Sequence, residues 1–250
     1  MAKSPAQDGQ GPKPKGRHFK INGHYYPGVS TILRATQSYE KIQALARWRA
    51  QVGYVEAQRI TQEATARGSL LHKLTETYFK GEDVALQLER ATVDKVAAVS
   101  PFWNNLQTFL PRLGTPFLVE SLVWHPVGHY AGKVDLACYW EEEGQERYPV
   151  VLDWKTSRSP KRLEYLEDHC LQLAAYADAI NQMHETQVSQ GILVISSPEA
   201  LQVFQVDLSD YWPVWLQRLY RFWRKQRRDH PLAEIALAAL AQHAADTDNS

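Results

Sequence analysis

VVLDWKTSRS, residues 150–159, opens as a buried β-strand and then sets Asp153 and Lys155 where apolar side chains should continue. Side chains two apart on a strand share a face, so the acid and the amine point the same way. Just upstream, GKVDLACYW, residues 132–140, has the composition of a second strand. If the hairpin between them turns near Gly144, the register sets Asp135 opposite Asp153, with side chains about 5 Å apart. Two facing carboxylates repel and need a cation between them. Lys155 neutralises one, while a divalent metal neutralises both, and hard oxygen ligands suit Mg²⁺ or Mn²⁺. An acid-x-Lys triplet is common by chance, so a structural ion pair at a sheet edge is the other reading of these residues alone.

Outward from this stretch the pattern is β-β-β-α-β-β-α. FLVESLVWHP begins at Phe117, LEYLEDHCLQLAAYADAINQ follows the Asp-x-Lys strand as a helix, and GILVIS and LQVFQVDL are two further strands. Before Phe117 the chain reads as helix from Thr31 to about Phe79, with Ser30 as a candidate cap, and again over Val84–Leu110 until Pro111 and Gly114 interrupt it. HFKINGHYYPGVSTIL predicts a short hairpin turning at Asn22-Gly23. The expected organisation is a flexible tail at 1–16 and one α/β domain at 17–230. That domain has a helical half at about 30–113, a sheet core at about 117–208 and a helix at about 210–228; an Ala-rich tail that frays follows at 231–250. In DYWPVWLQRLYRFWRKQRR, Trp212, Trp215, Leu216, Leu219, Phe222 and Trp223 form a core-facing stripe. Arg218, Arg221, Arg224 and Lys225 on the opposite face are either solvated or a phosphate-contacting strip.

Eight Trp, twelve Tyr and seven Phe in 250 residues predict a globular chain able to bury a core of its own. Lys and Arg balance Asp and Glu at 28 each, which argues against coating nucleic acid by bulk basicity but leaves room for a local basic groove. Cys138 and Cys170 cannot build a disulfide framework or a four-cysteine cluster. No apolar run approaches the roughly twenty residues that span a bilayer, and MAKSPAQDGQGPKPKG lacks the apolar centre of a signal peptide. The expectation is a soluble intracellular protein without membrane partners.

Two helical pairs add to the sheet patch. His72 and Glu76 lie four apart in RGSLLHKLTETYF, and Gln172 and Tyr176 lie four apart in CLQLAAYADAI, so each pair shares a helical face and wants a polar partner there. In order, His72-x-x-x-Glu76, Gly132-Lys133-Val134-Asp135, Asp153-Trp154-Lys155 and Gln172-x-x-x-Tyr176 resemble the motif set of the RecB-like branch of the PD-(D/E)XK nucleases. Within that branch the chain is similar to the mitochondrial genome maintenance exonuclease group and its bacterial and phage relatives. YPGVSTIL and ARGSLLH add to the likeness, which covers Tyr26 to Leu208.

The resemblance implies a restriction-endonuclease-like α/β core with a central mixed sheet flanked by helices. It further implies a metal-dependent exonuclease that hydrolyses single-stranded DNA from free ends in replication, repair or recombination. A structure-selective endonuclease and a catalytically silent DNA-binding subunit are the alternatives. By the same resemblance, Asp135, Asp153, the backbone carbonyl of Trp154 and His72 would hold one or two Mg²⁺ or Mn²⁺ ions. Lys155 would orient the attacking water or stabilise developing charge, and Gln172 and Tyr176 would position Lys155 or a phosphate, with Glu76 in support. Glu120 would join through water, a strand-end surface acid being its other reading. Arg67, Ser157 and Arg158 are candidate nucleic-acid contacts, and Trp124, Tyr130 and Trp154 are candidates for either base stacking or core packing. Some members of the branch carry an iron–sulfur cluster, which two cysteines cannot hold, so none is expected here. Without a GxxxxGK[ST] signature, unwinding would fall to a separate helicase or recombinase. The expected location is the cytoplasm of a bacterium or of a phage-infected cell.

Overall fold

The computed structural model describes residues 16–141 and 146–248; positions 1–15 of the expected tail and the turn at Gly144 lie outside them. The chain starts with the predicted hairpin, β1 (His18–Ile21) and β2 (His24–Pro27). Asn22 and Gly23 both take positive φ, 49° and 84°, as a tight two-residue turn between twisted strands requires. Helix α1 (Val29–Ala35) follows, capped by Gly28 rather than Ser30. The Gly28 carbonyl already accepts from Thr31 and Ile32 at 2.8 and 3.1 Å, which leaves Ser30 inside the first turn.

The expected long helical stretch is divided into α1, α2 (Tyr39–Val52) and α3 (Tyr54–Phe79). Gly53, at φ 88°, makes the break between the last two, a conformation that costs glycine little. Two shorter helices, α4 (Val84–Glu89) and α5 (Val93–Leu106), complete the helical half.

The sheet consists of β3 (Pro116–His125), β4 (Tyr130–Trp140), β5 (Tyr148–Thr156), β6 (Gln190–Ser196) and β7 (Leu201–Asp207), side by side in that order. Only β5 and β6 run parallel, and helix α6 (Glu167–His184) makes the crossover that a parallel pair demands. One face of the sheet packs on α1, α6 and α7 (Trp212–Gln226) through Val134, Ala137, Val151, Leu193 and Ile195. The other packs on α3 and α5 through Leu136, Cys138, Val150, Leu152, Trp154 and Val194. This is the α/β architecture with a central mixed sheet that the sequence implied. Among the described residues, no helix is long and apolar enough to cross a membrane.

Two expectations for the C-terminal region need correction. The Trp215, Leu219, Phe222 and Trp223 stripe is buried as predicted, but Arg218 is buried with it. Its guanidinium donates to the Leu33 carbonyl and to Thr36 Oγ1, both at 2.6 Å, and pairs with Asp168 at 3.2 Å. It therefore satisfies the open carbonyl end of α1 instead of facing solvent or phosphate. The Ala-rich segment is a helix, α8 (Ala233–Asp248), not a fraying tail. Leu232, Ala233 and Ala236 enter the α6–α7 core, with Leu237 and Leu240 packed against it, so small residues at helical spacing suffice for close docking.

Candidate active site

The β4–β5 register is the one expected, running from Trp140 opposite Tyr148 to Leu136 opposite Leu152. At the next step backbone pairing stops, and the Asp135 carboxylate itself accepts the Trp154 N–H at 3.0 Å. A second irregularity lies on the other side of β4. Val119 pairs with Leu136 and Ser121 with Val134, which sets Glu120 across from Asp135. Side chains should alternate along a strand, yet Val134 packs on the α6 side and Leu136 on the α3 side. Val123 and Val119 differ in the same way, so both strands change parity at the Glu120–Asp135 step. Glu120 takes φ 45°, the left-handed region that glutamate adopts at a cost of about 1–3 kcal/mol.

That distortion assembles three donors from three elements. His72 on α3 brings Nδ1 to 3.2 Å from Glu120 Oε1 and 3.3 Å from Asp135 Oδ1. One ligand atom from each of His72, Glu120 and Asp135 lies within 4.8 Å of the others, a spacing able to hold a metal ion. Lys133 pairs with the second oxygen of Glu120 at 2.6 Å. Burial opposes charge on the imidazole, but hydrogen bonds to Asp135 and Glu120 outweigh it and push His72 up to about 10. Burial likewise works against the Glu120 carboxylate, and the His72 and Lys133 hydrogen bonds hold it below the usual range.

Asp153 is fully buried; the Lys155 ammonium pairs with its Oδ2, while Oδ1 has no hydrogen-bond partner among the described residues. Burial raises the Asp153 pKa and the nearby Asp135 charge adds to the rise, against the pull of Lys155. Lys155 is raised too, because Asp153 and then Asp135 overcome the burial that opposes its charge. A buried carboxylate with one oxygen left without a partner is expensive as it stands, and a divalent cation would relieve it. The donor chemistry of the His72, Glu120 and Asp135 group fits such an ion, two carboxylates with one imidazole, and the Asp153 charge lies near enough to act on Asp135.

Opposite Lys155 stands α6. Gln172 donates to the Tyr176 hydroxyl at 3.0 Å, and Tyr176 is buried against the sheet. Burial, reinforced by the Asp135 and Asp153 charges, raises its phenol above the ordinary value. Gly132 makes this approach possible, since a Cβ there would meet Tyr176 Cε1 at 2.3 Å. On the same helix His169 had drawn no attention in the sequence; burial and the Lys155 charge push its imidazole down to about 4.

Of the candidate residues, His72, Asp135, Asp153, Lys155, Gln172 and Tyr176 come together. Glu76 does not join them by any hydrogen bond, because Lys80 and Lys73 take its carboxylate at 2.6 and 3.1 Å. Trp154 turns its ring to the α3 face, stacked on Phe79 at 6.2 Å, and Tyr130 is buried with its hydroxyl on Ala175 O and Asp178, so both are core rather than stacking platforms. Trp124 is half-buried against the α6 core. Ser157 Oγ donates to the Ser159 carbonyl within its own turn. Arg67 lies over Phe102 at 4.5 Å with Nε unpartnered, and Arg158 is exposed nearby. A cleft of about 390 Å³ opens beside the cluster between α3 and β5, lined by Thr61, Thr65, Gly68, His72 and Lys155 among others. Glu120 is the residue the sequence underweighted; its position one strand before Asp135 was visible, but its backbone conformation was not.

The family model described as the PD-(D/E)XK nuclease superfamily matches residues 38–235. Curated relatives named mitochondrial genome maintenance exonuclease 1 are similar over most of the chain. The Xenopus tropicalis protein is 28% identical over 84% of this chain, the human protein 27% over 82%, and the Mus musculus protein 29% over 80%. The match spans 60% of the length of each relative. With the Asp-x-Lys strand, the facing acid and the crossover helix in this arrangement, and with the family model covering most of its length, the chain belongs to the PD-(D/E)XK nuclease superfamily.

Proposed function

We propose that the protein is a divalent-metal-dependent exonuclease that degrades single-stranded DNA from free ends; its curated relatives are named as exonucleases. The observation that carries this reading is Asp153, fully buried with Lys155 paired to one carboxylate oxygen and the other oxygen without a partner, and close enough to Asp135 of the His72, Glu120 and Asp135 group for the two charges to interact. PD-(D/E)XK nucleases use divalent metal ions, and Asp135, Asp153, His72, Glu120 and the Trp154 carbonyl are the groups that would hold Mg²⁺ or Mn²⁺ here. When bound, the ion supplies charge neutralisation at a phosphate and lowers the pKa of a water.

The remaining chemistry belongs to the chain. Lys155, kept as an ammonium by Asp153 and Asp135, donates toward the attacking water or the developing negative charge. Tyr176 accepts from Gln172 and so keeps its own proton for a phosphate oxygen. The cleft along α3 supplies the path for the strand, with Thr61, Thr65 and Gly68 leaving the backbone room to approach. Arg67 and Arg158 add positive charge near the same path. Duplex opening falls to a separate helicase or recombinase. The place of action in this reading is the cytoplasm of a bacterium or phage-infected cell, though the relatives are mitochondrial by name.

The test is release of oligonucleotides from end-labelled single strands with Mg²⁺, Mn²⁺ or chelator. Asp153→Ala and Lys155→Ala should each reduce the rate by at least about 10²-fold while keeping the wild-type circular dichroism spectrum. Unchanged degradation by either variant overturns the site, and cutting of circular single strands moves the activity to endonuclease.

A further inference from the structure

The chain is neutral overall, with 28 cations and 28 anions, yet Gln217–Arg228 holds six cations and no acid. Three of the six are accounted for by the fold. Arg218 is buried on Asp168, Lys225 donates to the Ala35 carbonyl at 3.1 Å, and Arg227 pairs with Glu234. Arg221, Arg224 and Arg228 are exposed and have no ion-pair or hydrogen-bond partner among the described residues. Favourable interaction with the carbonyl end of α7 explains a cation in the last turn, such as Arg224. It does not explain Arg221, which stands a turn earlier.

Arg221, Arg224 and Lys225 line one open groove of about 470 Å³ together with Gln217 and Tyr220. Tyr220, on the same lining, is 44% exposed. Because Lys225 reaches the Ala35 carbonyl, the groove runs past the C-terminal end of α1, on the α6 side of the sheet and apart from the α3–β5 cleft. Planar guanidinium forks spaced along a helix suit successive phosphates, and an exposed tyrosine beside them suits an unpaired base. An acidic protein surface would match the charge but would leave the exposed ring unused.

We infer that this groove on α7 is a second nucleic-acid contact, which holds the backbone of a single strand outside the cleft where the Asp-x-Lys cluster lies. The inference rests on the nuclease reading for its substrate class but not on turnover. It makes the enzyme favour long strands over short ones, since only a long strand reaches both surfaces.

The experiment compares wild type with Arg221→Gln/Arg224→Gln in chelator, where the strand stays intact. Binding to a long fluorescent single strand is followed across salt concentrations. The expected result is a log Kd against log salt slope shallower by about 0.7 for each arginine removed, and affinity lower by roughly tenfold or more at low salt. Cleavage of a strand only long enough to fill the α3–β5 cleft should be unchanged, as should the melting temperature. Equal affinity and slope for the long strand overturn the inference. So does an equal loss of affinity for the short strand, which would make the groove part of the cleft, and so does stronger competition by polyglutamate than by unlabelled DNA. Failure of the nuclease reading itself appears separately, as undiminished cleavage by Asp153→Ala.

Discussion

Gly132→Ala is expected to damage the site from a position that carries no functional group. A Cβ on Gly132 would lie 2.3 Å from Tyr176 Cε1 and 3.0 Å from both Cζ and the hydroxyl, whereas carbon atoms pack comfortably at about 3.5–4.0 Å. The ring has little room to retreat, because Leu173, Ala174 and Ala177 around it on α6 are buried and Gln172 holds its hydroxyl at 3.0 Å. Overpacking of this kind costs about 1–3 kcal/mol, and loss of the Gln172 bond adds about 0.5–1.5 kcal/mol. The expected destabilisation is thus roughly 1.5–4.5 kcal/mol, a fall in melting temperature of about 3–18 °C. A displacement near 1 Å of a positioning group costs about 10²-fold in rate, so cleavage should fall on that scale even where the protein is fully folded. Thermal unfolding and single-strand cleavage should be measured for Gly132→Ala, Tyr176→Ala and the double variant. With the ring gone the added methyl has nothing to strike, so Gly132→Ala should cost almost no further stability in the Tyr176→Ala background. Equal costs in both backgrounds would refute the reasoning, since the damage would then lie in the strand and not in the contact.

Two other outcomes follow from polar contacts away from the cluster. Arg218→Met should lower stability by about 1–3 kcal/mol in urea unfolding, since it removes the guanidinium from the Leu33 carbonyl, Thr36 and Asp168, although Asp168 keeps Lys41 at 3.3 Å and Thr36 keeps the Ile32 carbonyl, and Arg218→Lys should restore only part of that because one ammonium cannot span all three. His129 sits at φ 51° in the turn between β3 and β4, with Tyr26 Oη 3.1 Å from Nδ1; burial lowers its pKa, and charge on His125, His24 and His230 lowers it further. The unfolded chain therefore takes up the proton first, so this stability is present above the unfolded pKa of about 6.5 and is lost as pH falls through the lower folded value. Melting temperature should drop more steeply between about pH 7 and pH 5 in the wild type than in His129→Asn, and parallel curves would show that this histidine does not contribute.

The parts of the fold that could be read in advance are those set by local rules. Asn22-Gly23 specifies its turn, and the strand pattern on either side of Gly144 specifies which residues of β4 and β5 face each other. Helical spacing placed Gln172 with Tyr176, and their order after the Asp-x-Lys strand placed them opposite it. What escaped depends on partners distant in sequence. Arg218 looked like its neighbours Arg221 and Arg224, and only the open carbonyl end of α1, more than 180 residues earlier, makes it a buried residue. Glu76 shared a face with His72, but Lys73 on the same helix and Lys80 at its C-terminal cap engage its carboxylate. Alanines at 233 and 236 bury too little surface to announce a docked helix, although α8 enters the core through them.

Glu120 shows why the full donor set was the least legible part. Nothing in the sequence marks a glutamate for the left-handed region, and a regular β3 would have followed simple alternation. The strand changes parity there, and β4 changes parity directly opposite at Asp135. With both acids displaced from regular pleating, their carboxylates reach His72 on α3 while Asp153 stays on the α6 side beside Lys155. A regular sheet would have left Asp135 as a backbone-paired residue; here its side chain takes the Trp154 N–H and opens the strands at the point where the acids gather. The strain at Glu120 and the burial of Asp153 with only Lys155 against its charge are then two costs of one arrangement, and a bound cation is the single change that would offset both.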